Sequence, residues 1–169
     1  MKLFFIATLF AILSSTVSYG EDNKVKHEEH GISSGVEALS HDLRDLLSLE
    51  MQALESGMMS IIPAYNSGNW QEIENTAGKM NKSYIMKQKL TESQVNELHA
   101  KLPRAFIEKD QNFHYLAGML EHAAKNKKAE LINFYFSEMN ESCVSCHAAF
   151  ATHRFPALLP REKKDEHVH

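Results

Sequence analysis

The sequence has little of several features that define common protein classes. Its 169 residues include only two cysteines, seven glycines and four prolines, and basic residues are outnumbered by acidic ones. Two cysteines are too few for a disulfide-stabilised scaffold, and a hydrophobic content of 43% argues against a disordered or low-complexity chain. The formal net charge of −4 argues against a nucleic-acid-binding protein, which usually carries a basic surplus. The composition therefore predicts one globular domain of ordinary size.

The N-terminus has the pattern of a secretory signal peptide. Lys2 precedes an apolar run from Leu3 to Leu13, and small residues follow up to Gly20. We expect cleavage after residues 1–20 and export of the mature chain. A short N-terminal anchor is the alternative, but the apolar run is too short to span a bilayer, and no later segment approaches that length. No membrane span is therefore expected in the mature chain.

Polar segments flank the remaining chain on both sides. Residues 21–33 and 161–169 contain almost no apolar side chains, and each segment carries two histidines. Such histidines could bind a metal ion, but only after the chain around them becomes ordered. We predict a disordered polar leader and a polar tail, with the folded domain spanning residues 34–160.

The sequence of this domain predicts helices throughout. Apolar residues recur at intervals of three and four, and no segment alternates with a period of two. Four long helices are predicted, over Val36–Ile62 with Pro63 as the stop, from Trp70 to about Lys89, from Pro103 to about Asn126, and from about Ala129 through Phe150. Three N-terminal capping pairs support them, namely Ser34 with Glu37, Asn69 with Glu72, and Thr91 with Gln94, the last opening a short additional helix. The predicted fold is all-α, an antiparallel four-helix bundle.

The chemistry is concentrated near the end of the fourth predicted helix, in the pattern C-x-x-C-H. This pattern is the attachment signature of c-type haem. Cys143 and Cys146 stand three residues apart, so each thiol can form a thioether with one vinyl group of the porphyrin. His147 follows directly and can bind the iron from the same side. We therefore predict one covalent haem c, with His147 as the proximal iron ligand.

Three other interpretations of the two cysteines compete with haem attachment. A thioredoxin-like thiol pair begins a helix in a domain with strands, whereas this pair ends a helix in an all-α chain. A structural zinc site needs four ligands, and although His147 or His153 could join the cysteines, there is no second paired motif. A disulfide across two residues would constrain little of the unfolded chain. Haem attachment is favoured over all three.

A helical chain with this motif in its last helix resembles the class II c-type cytochromes, the cytochrome c′ family. Arg44, Met51 and Met58 on the first predicted helix fit the spacing of Arg, apolar residues and Met found in that family. The resemblance covers about residues 36–155. It implies an antiparallel bundle, often a homodimer, with haem between the helices near one end, and a bacterial periplasmic location.

The sequence departs from the family at two positions. The family usually carries a basic residue four positions after the haem His, where this chain has Ala151; the nearest basic residue is Arg154. The family's distal position is usually apolar or Met, and here it falls on Ser48 or Leu47, neither of which is a good iron ligand.

The sixth iron ligand decides between two functions. Met51 lies about one turn beyond Ser48 and is the first candidate, while His114, between two aromatic residues, is the second. Met58 is assigned to the core and His122 to the surface. Four aromatic residues are expected either to line the haem site or to pack in the core, namely Phe134, Tyr135, Phe150 and Trp70.

With a sixth ligand, the protein is expected to transfer electrons between periplasmic redox proteins, because His and Met ligands suit electron transfer. No substrate would be transformed, so the protein is not expected to be an enzyme. The alternative is a five-coordinate haem protein of the cytochrome c′ type that binds or senses a small gas such as nitric oxide or carbon monoxide.

Overall fold

A computed structural model describes residues 35–83, 86 and 90–159 of the chain. Regular structure in these residues is entirely helical, which confirms the predicted all-α class for this part of the chain. Its five α-helices are α1 (His41–Asn66), α2 (Trp70–Asn81), α3 (Glu92–Lys101), α4 (Arg104–Lys125) and α5 (Ala129–Phe150), with 3₁₀ turns at Val36–Ala38 and Pro156–Leu158. The predicted signal peptide (residues 1–20), leader (21–33) and tail (161–169) lie outside the described residues.

The first helix differs from its prediction at both ends. It begins at His41 rather than at Val36, because Leu39 is extended and buried beneath the helix start. It also continues through Pro63 to Asn66. Pro63 lies on the exposed side of the helix, where water can satisfy the backbone carbonyl that a proline leaves without its usual N–H donor. Pro63 is therefore not the stop that the sequence suggested.

The second helix is shorter than predicted. α2 ends at Asn81, and Ser83 takes a left-handed backbone conformation with φ of 60°. Its hydroxyl donates a hydrogen bond to the buried carboxylate of Glu50, with 2.8 Å between Oγ and Oε1. The N–H of Met86 reaches the other oxygen of the same carboxylate at 3.3 Å. A tertiary contact with α1 thus interrupts the helix that the apolar period extended to about Lys89.

The other helix ends agree closely with the sequence. The Asn69 side chain accepts from the Glu72 N–H, and Thr91 with Gln94 forms a complete capping box. Pro103 is the N-cap of α4 rather than part of its first turn. α5 spans the predicted residues, and Ser34 of the remaining capping pair lies outside the described residues.

Each long helix packs closely on the next one, in the order α1, α2, α4, α5. Between α2 and α4, residue numbers rise on one helix as they fall on the other, because Gly78 approaches Glu121 while Asn81 approaches Gly118. α2 and α4 therefore run in opposite directions. None of the described helices has the length and apolar content that a membrane crossing requires.

The buried apolar residues form two separate clusters. The main cluster is contributed by α1, α2, α4 and α5, and its fully buried members include Ile61, Ile73, Met80, Leu120, Ile132 and Met139. The second cluster lies at the start of α1 and between α3 and α4, and comprises Leu39, Leu43 and Leu102 with partly buried neighbours such as Leu47, Phe106 and Ile107. Both α1 and α4 contribute to the two clusters, so the boundary between the clusters crosses both helices.

Candidate functional site

The C-x-x-C-H residues occupy the last two turns of α5. Cys143 and Cys146 are free thiols, and both side chains are half-buried. Their spacing of three residues puts them about one helical turn apart on the same side of the helix. Burial raises the pKa of both thiols, and at Cys143 the proximity of the Cys146 sulfur raises it further. Both thiols therefore stay protonated to a higher pH than an ordinary cysteine does.

Two charged residues of α4 flank the second cysteine. Lys109 donates a hydrogen bond to Ser145, with 3.1 Å between Nζ and Oγ. Burial is the main cause of the raised pKa of Cys146. The Lys109 ammonium lowers that pKa, and the Asp110 carboxylate raises it. The thiol thus stands between opposite charges that partly cancel.

The His147 imidazole is half-buried and stacked on an aromatic ring. Its ring lies parallel to that of Phe155, with 4.3 Å between centroids and 8° between planes. Burial lowers the pKa of His147, and the nearby Arg154 guanidinium lowers it further. Among the described residues, neither ring nitrogen of His147 makes a hydrogen bond to another group. A neutral imidazole with an available nitrogen is the form that binds a metal ion.

The motif lies at the boundary between the two apolar clusters. On α1, Leu47 belongs to the second cluster and Met51 to the main one. Cys143 packs against the main cluster, whereas Phe150 contacts Phe106 of the second cluster edge-to-face at 5.4 Å. The two cysteines and His147 therefore fall at the level where the apolar core is divided.

Met51 of α1 and Cys143 of α5 pack against the same main apolar cluster. The two helices line an apolar groove, where the Tyr65 hydroxyl donates to the Ala129 carbonyl at 3.3 Å and Ile62 lies near Asn133. Met51 is eleven residues before Ile62, and Val144 is eleven residues after Asn133. Since both helices rise equally per residue, an antiparallel register continued from these contacts would place Met51 level with the C-x-x-C-H turn.

His114 is buried, and each of its two ring nitrogens lies close to a polar atom. Its Nδ1 lies 2.6 Å from the Met80 carbonyl oxygen, and its Nε2 lies 3.5 Å from an Asp110 carboxylate oxygen. Iron binding by His114 would require one of these contacts to be given up. The geometry thus matches the hydrogen-bonded interfacial role more closely than the ligand role.

The remaining candidates are distributed over the molecule. Met58 is in the main cluster and His122 is exposed, as predicted. Trp70 is not near the motif, because it contacts Tyr65 at 5.7 Å beside the opposite end of α5. Phe134 and Tyr135 contact each other at 5.1 Å two turns or more before the first cysteine, and Phe134 is 52% exposed. Of the four aromatic residues considered as haem walls, only Phe150 adjoins the motif turn.

Three residues of the site carry little or no signal in the sequence. Lys109 and Asp110 read as ordinary helix-surface charges, and they approach Cys146 only because α4 packs against α5. Phe155 follows the motif by eight residues, and it returns to His147 because the chain turns sharply after α5. The proximity of Phe155 to the motif along the chain was the one signal that could have found it.

Comparison with known proteins adds no relative: no family model matches the chain, and no similar curated protein or solved structure was found.

Proposed function

We propose that the protein is an exported c-type cytochrome that carries one covalent haem c and transfers electrons between periplasmic redox proteins. The observation that carries this proposal is the arrangement at the end of α5. Free Cys143 and Cys146 thiols are one turn apart, and burial lowers the pKa of the adjacent His147 imidazole, whose ring nitrogens no described residue engages. This set of groups matches the two thioethers and one axial ligand of haem c.

The packing around the motif suits a large apolar group. The apolar core is divided at this level, with Leu47 and Phe106 on one side and Met51 and Cys143 on the other. A porphyrin attached to α5 and lying against α1 would join the two clusters. We propose that α1, α2, α4 and α5 then act as the antiparallel four-helix bundle that the sequence indicates.

Different residues of the chain would attach the haem covalently and bind its iron. Haem supplies an iron atom that gains and loses one electron. Cys143 and Cys146 would hold it as thioethers, His147 would bind the iron, and Met51 would supply the sixth ligand, because it alone of the two candidates has no polar group to give up. Sulfur and imidazole ligation raises the reduction potential and keeps the iron closed to small molecules, which favours electron transfer over enzymatic chemistry.

A five-coordinate, gas-binding protein is the second candidate. It is supported by Ser48, which is half-buried at the family's distal position and offers no strong iron ligand, and by the engagement of both His114 nitrogens. The two candidates therefore differ in one interaction, the bond between Met51 and iron.

The test is to express the chain in a host that matures c-type cytochromes and to measure its mass and absorption spectrum. The proposal expects one haem per chain that remains attached under denaturing conditions. The reduced spectrum should be low-spin and insensitive to carbon monoxide; a high-spin spectrum that changes with carbon monoxide would favour the gas-binding candidate.

A pair of variants provides the control for attachment. Cys143→Ala with Cys146→Ala should abolish covalent haem, whereas Ser142→Ala, one residue before the motif, should retain it. Covalent haem in the double variant, or none in the unaltered chain, would show that the proposal is wrong. The homodimer that the resemblance implies stays a prediction, and sedimentation of the same haem-loaded protein measures it.

A further inference from the structure

The contact between His147 and Phe155 has a geometry that goes beyond ordinary packing. The two rings are stacked with nearly parallel planes, at 8° between planes and 4.3 Å between centroids. The other close aromatic pairs among the described residues meet edge-to-face, at angles from 64° to 81°. The parallel arrangement therefore distinguishes the ring next to the cysteines.

A histidine that binds a metal usually has its orientation fixed by a hydrogen bond from its other ring nitrogen. The described residues supply no such acceptor to His147. The main contact on the flat side of the imidazole is instead the phenyl ring of Phe155. A ring bound to iron through one nitrogen retains rotation about that bond, and a second ring stacked on its face opposes the rotation because turning would break the contact.

Phe155 is itself held in place independently of the imidazole. The chain reverses after α5 through two backbone hydrogen bonds to the Ala151 carbonyl, from the N–H groups of Arg154 and Phe155 at 2.9 and 3.0 Å. Just before this turn ends, His153 lies 3.4 Å from the Glu37 carboxylate of the N-terminal 3₁₀ turn. The segment thus has anchors of its own, so the phenyl ring can act as a fixed surface.

We propose that Phe155 is a positioning residue that fixes the rotational orientation of the His147 imidazole on the haem iron. The inference rests on the proposed function, since it concerns the proximal ligand of the same site. It assigns to an aromatic stack the role that a hydrogen bond has at most metal-bound histidines. Phe155 would touch the ligand and not the iron, so it would alter the haem through His147 alone.

The test compares four variants of the haem-loaded full chain. Phe155→Ala removes the stack, Phe155→Leu keeps apolar bulk without a ring, and Phe155→Tyr keeps the ring. Phe134→Ala is the matched control, because it removes an exposed phenylalanine of α5 that does not contact the motif. Each variant is measured for haem content by mass, for thermal unfolding midpoint, and for the paramagnetically shifted haem methyl resonances of the ferric state, whose pattern depends on the orientation of the axial imidazole plane.

We expect the Ala and Leu variants to retain covalent haem and to shift the methyl pattern, and the Tyr variant and Phe134→Ala to keep the original pattern. If Phe155 only adds packing, the unfolding midpoint falls while the pattern stays unchanged, and the inference is wrong. If Phe155→Ala fails to fold, the comparison of Leu with Tyr decides in the same way. A chain that acquires no haem at all would overturn the proposed function, a result distinct from a haem-loaded chain with an unaltered pattern.

Discussion

Lys109 on α4 donates a hydrogen bond to Ser145 on α5, with 3.1 Å between Nζ and Oγ. Ser145 is one of the two residues between the cysteines, so this bond places an ammonium group beside the C-x-x-C-H turn. Asp110, the next residue of α4, acts on Cys146 with the opposite sign. The pKa of this thiol therefore depends on burial and on two adjacent residues of a neighbouring helix.

Replacing either charge should change the pKa of Cys146 in a known direction. In the haem-free chain, Lys109→Gln removes a cation that lowers the pKa, so the pKa should rise and the thiolate, which is the reactive form, should become scarcer. Asp110→Asn should have the opposite effect. The measurement is the rate of alkylation at Cys146 against pH, followed by peptide mass in a Cys143→Ser background. Lys125→Gln, an exposed lysine at the far end of α4, is the control, and faster alkylation in Lys109→Gln would contradict the assignment.

On the proposed function, Met51→Ala should convert the haem from six- to five-coordinate. The reduced spectrum is expected to change from low-spin to high-spin and to become sensitive to carbon monoxide, because an open iron position results. Met59→Ala is the matched control, since Met59 is on the same helix and 66% exposed. A low-spin spectrum in both variants would remove Met51 from the ligand set and direct the search to His114.

Glu50→Ala should destabilise the fold through the connection that follows α2. The Glu50 carboxylate is 2% exposed and accepts from the Ser83 hydroxyl and the Met86 N–H, so its loss deprives buried donors of their acceptor. The expected loss in the free energy of unfolding is about 1–3 kcal/mol. Urea unfolding measures it, with Glu55→Ala on the exposed face of α1 as the control. Equal midpoints for the two variants would show that the buried carboxylate contributes little.

Acid should destabilise the haem-free chain partly through His147. Because the pKa of His147 is lower in the folded chain than its ordinary value of 6.5, the unfolded chain binds more protons between these two values. The contribution of this group to the free energy of unfolding is therefore fully present above pH 6.5. It is lost as the pH falls from 6.5 through the lower pKa of the folded chain. Arg154→Gln removes one cause of the lowered pKa, so the pKa values of the folded and unfolded chain should move closer together. The exposed Arg104→Gln should leave both values unchanged. NMR titration of the His147 ring checks the direction, and an unchanged or lower pKa in Arg154→Gln would contradict it.

The sequence was sufficient for features that depend on local pattern. The period of apolar residues predicted α4 and α5 to within a residue or two, and capping pairs such as Thr91 with Gln94 located helix starts, because a cap involves residues only three positions apart. The C-x-x-C-H motif is local in the same sense. Its three reactive side chains share one helical turn whatever the rest of the chain does.

Features that depend on contacts between distant segments were not predictable. Pro63 was expected to stop α1, but its place on the exposed side of the helix lets the helix continue. The interruption at Ser83 depends on Glu50, thirty-three residues earlier in the chain. In the site, the approach of Lys109 to Ser145 depends on how α4 packs against α5. The period of apolar residues indicates which side of a helix is buried. It does not indicate which residues of another helix that side will contact.

The order of close packing, from α1 through α2 and α4 to α5, leaves the cysteine-bearing helix at one end of the series. Among the described helices, its extensive contact is with α4 alone, whereas α2 and α4 each have two such partners. A helix held on one main side can separate in a local opening that costs less free energy than global unfolding. The thiols of Cys143 and Cys146 would thus become fully exposed to a large reactant while the remaining helices stay associated. Protection of the α5 amides from hydrogen exchange should accordingly be weaker than that of α2 and α4.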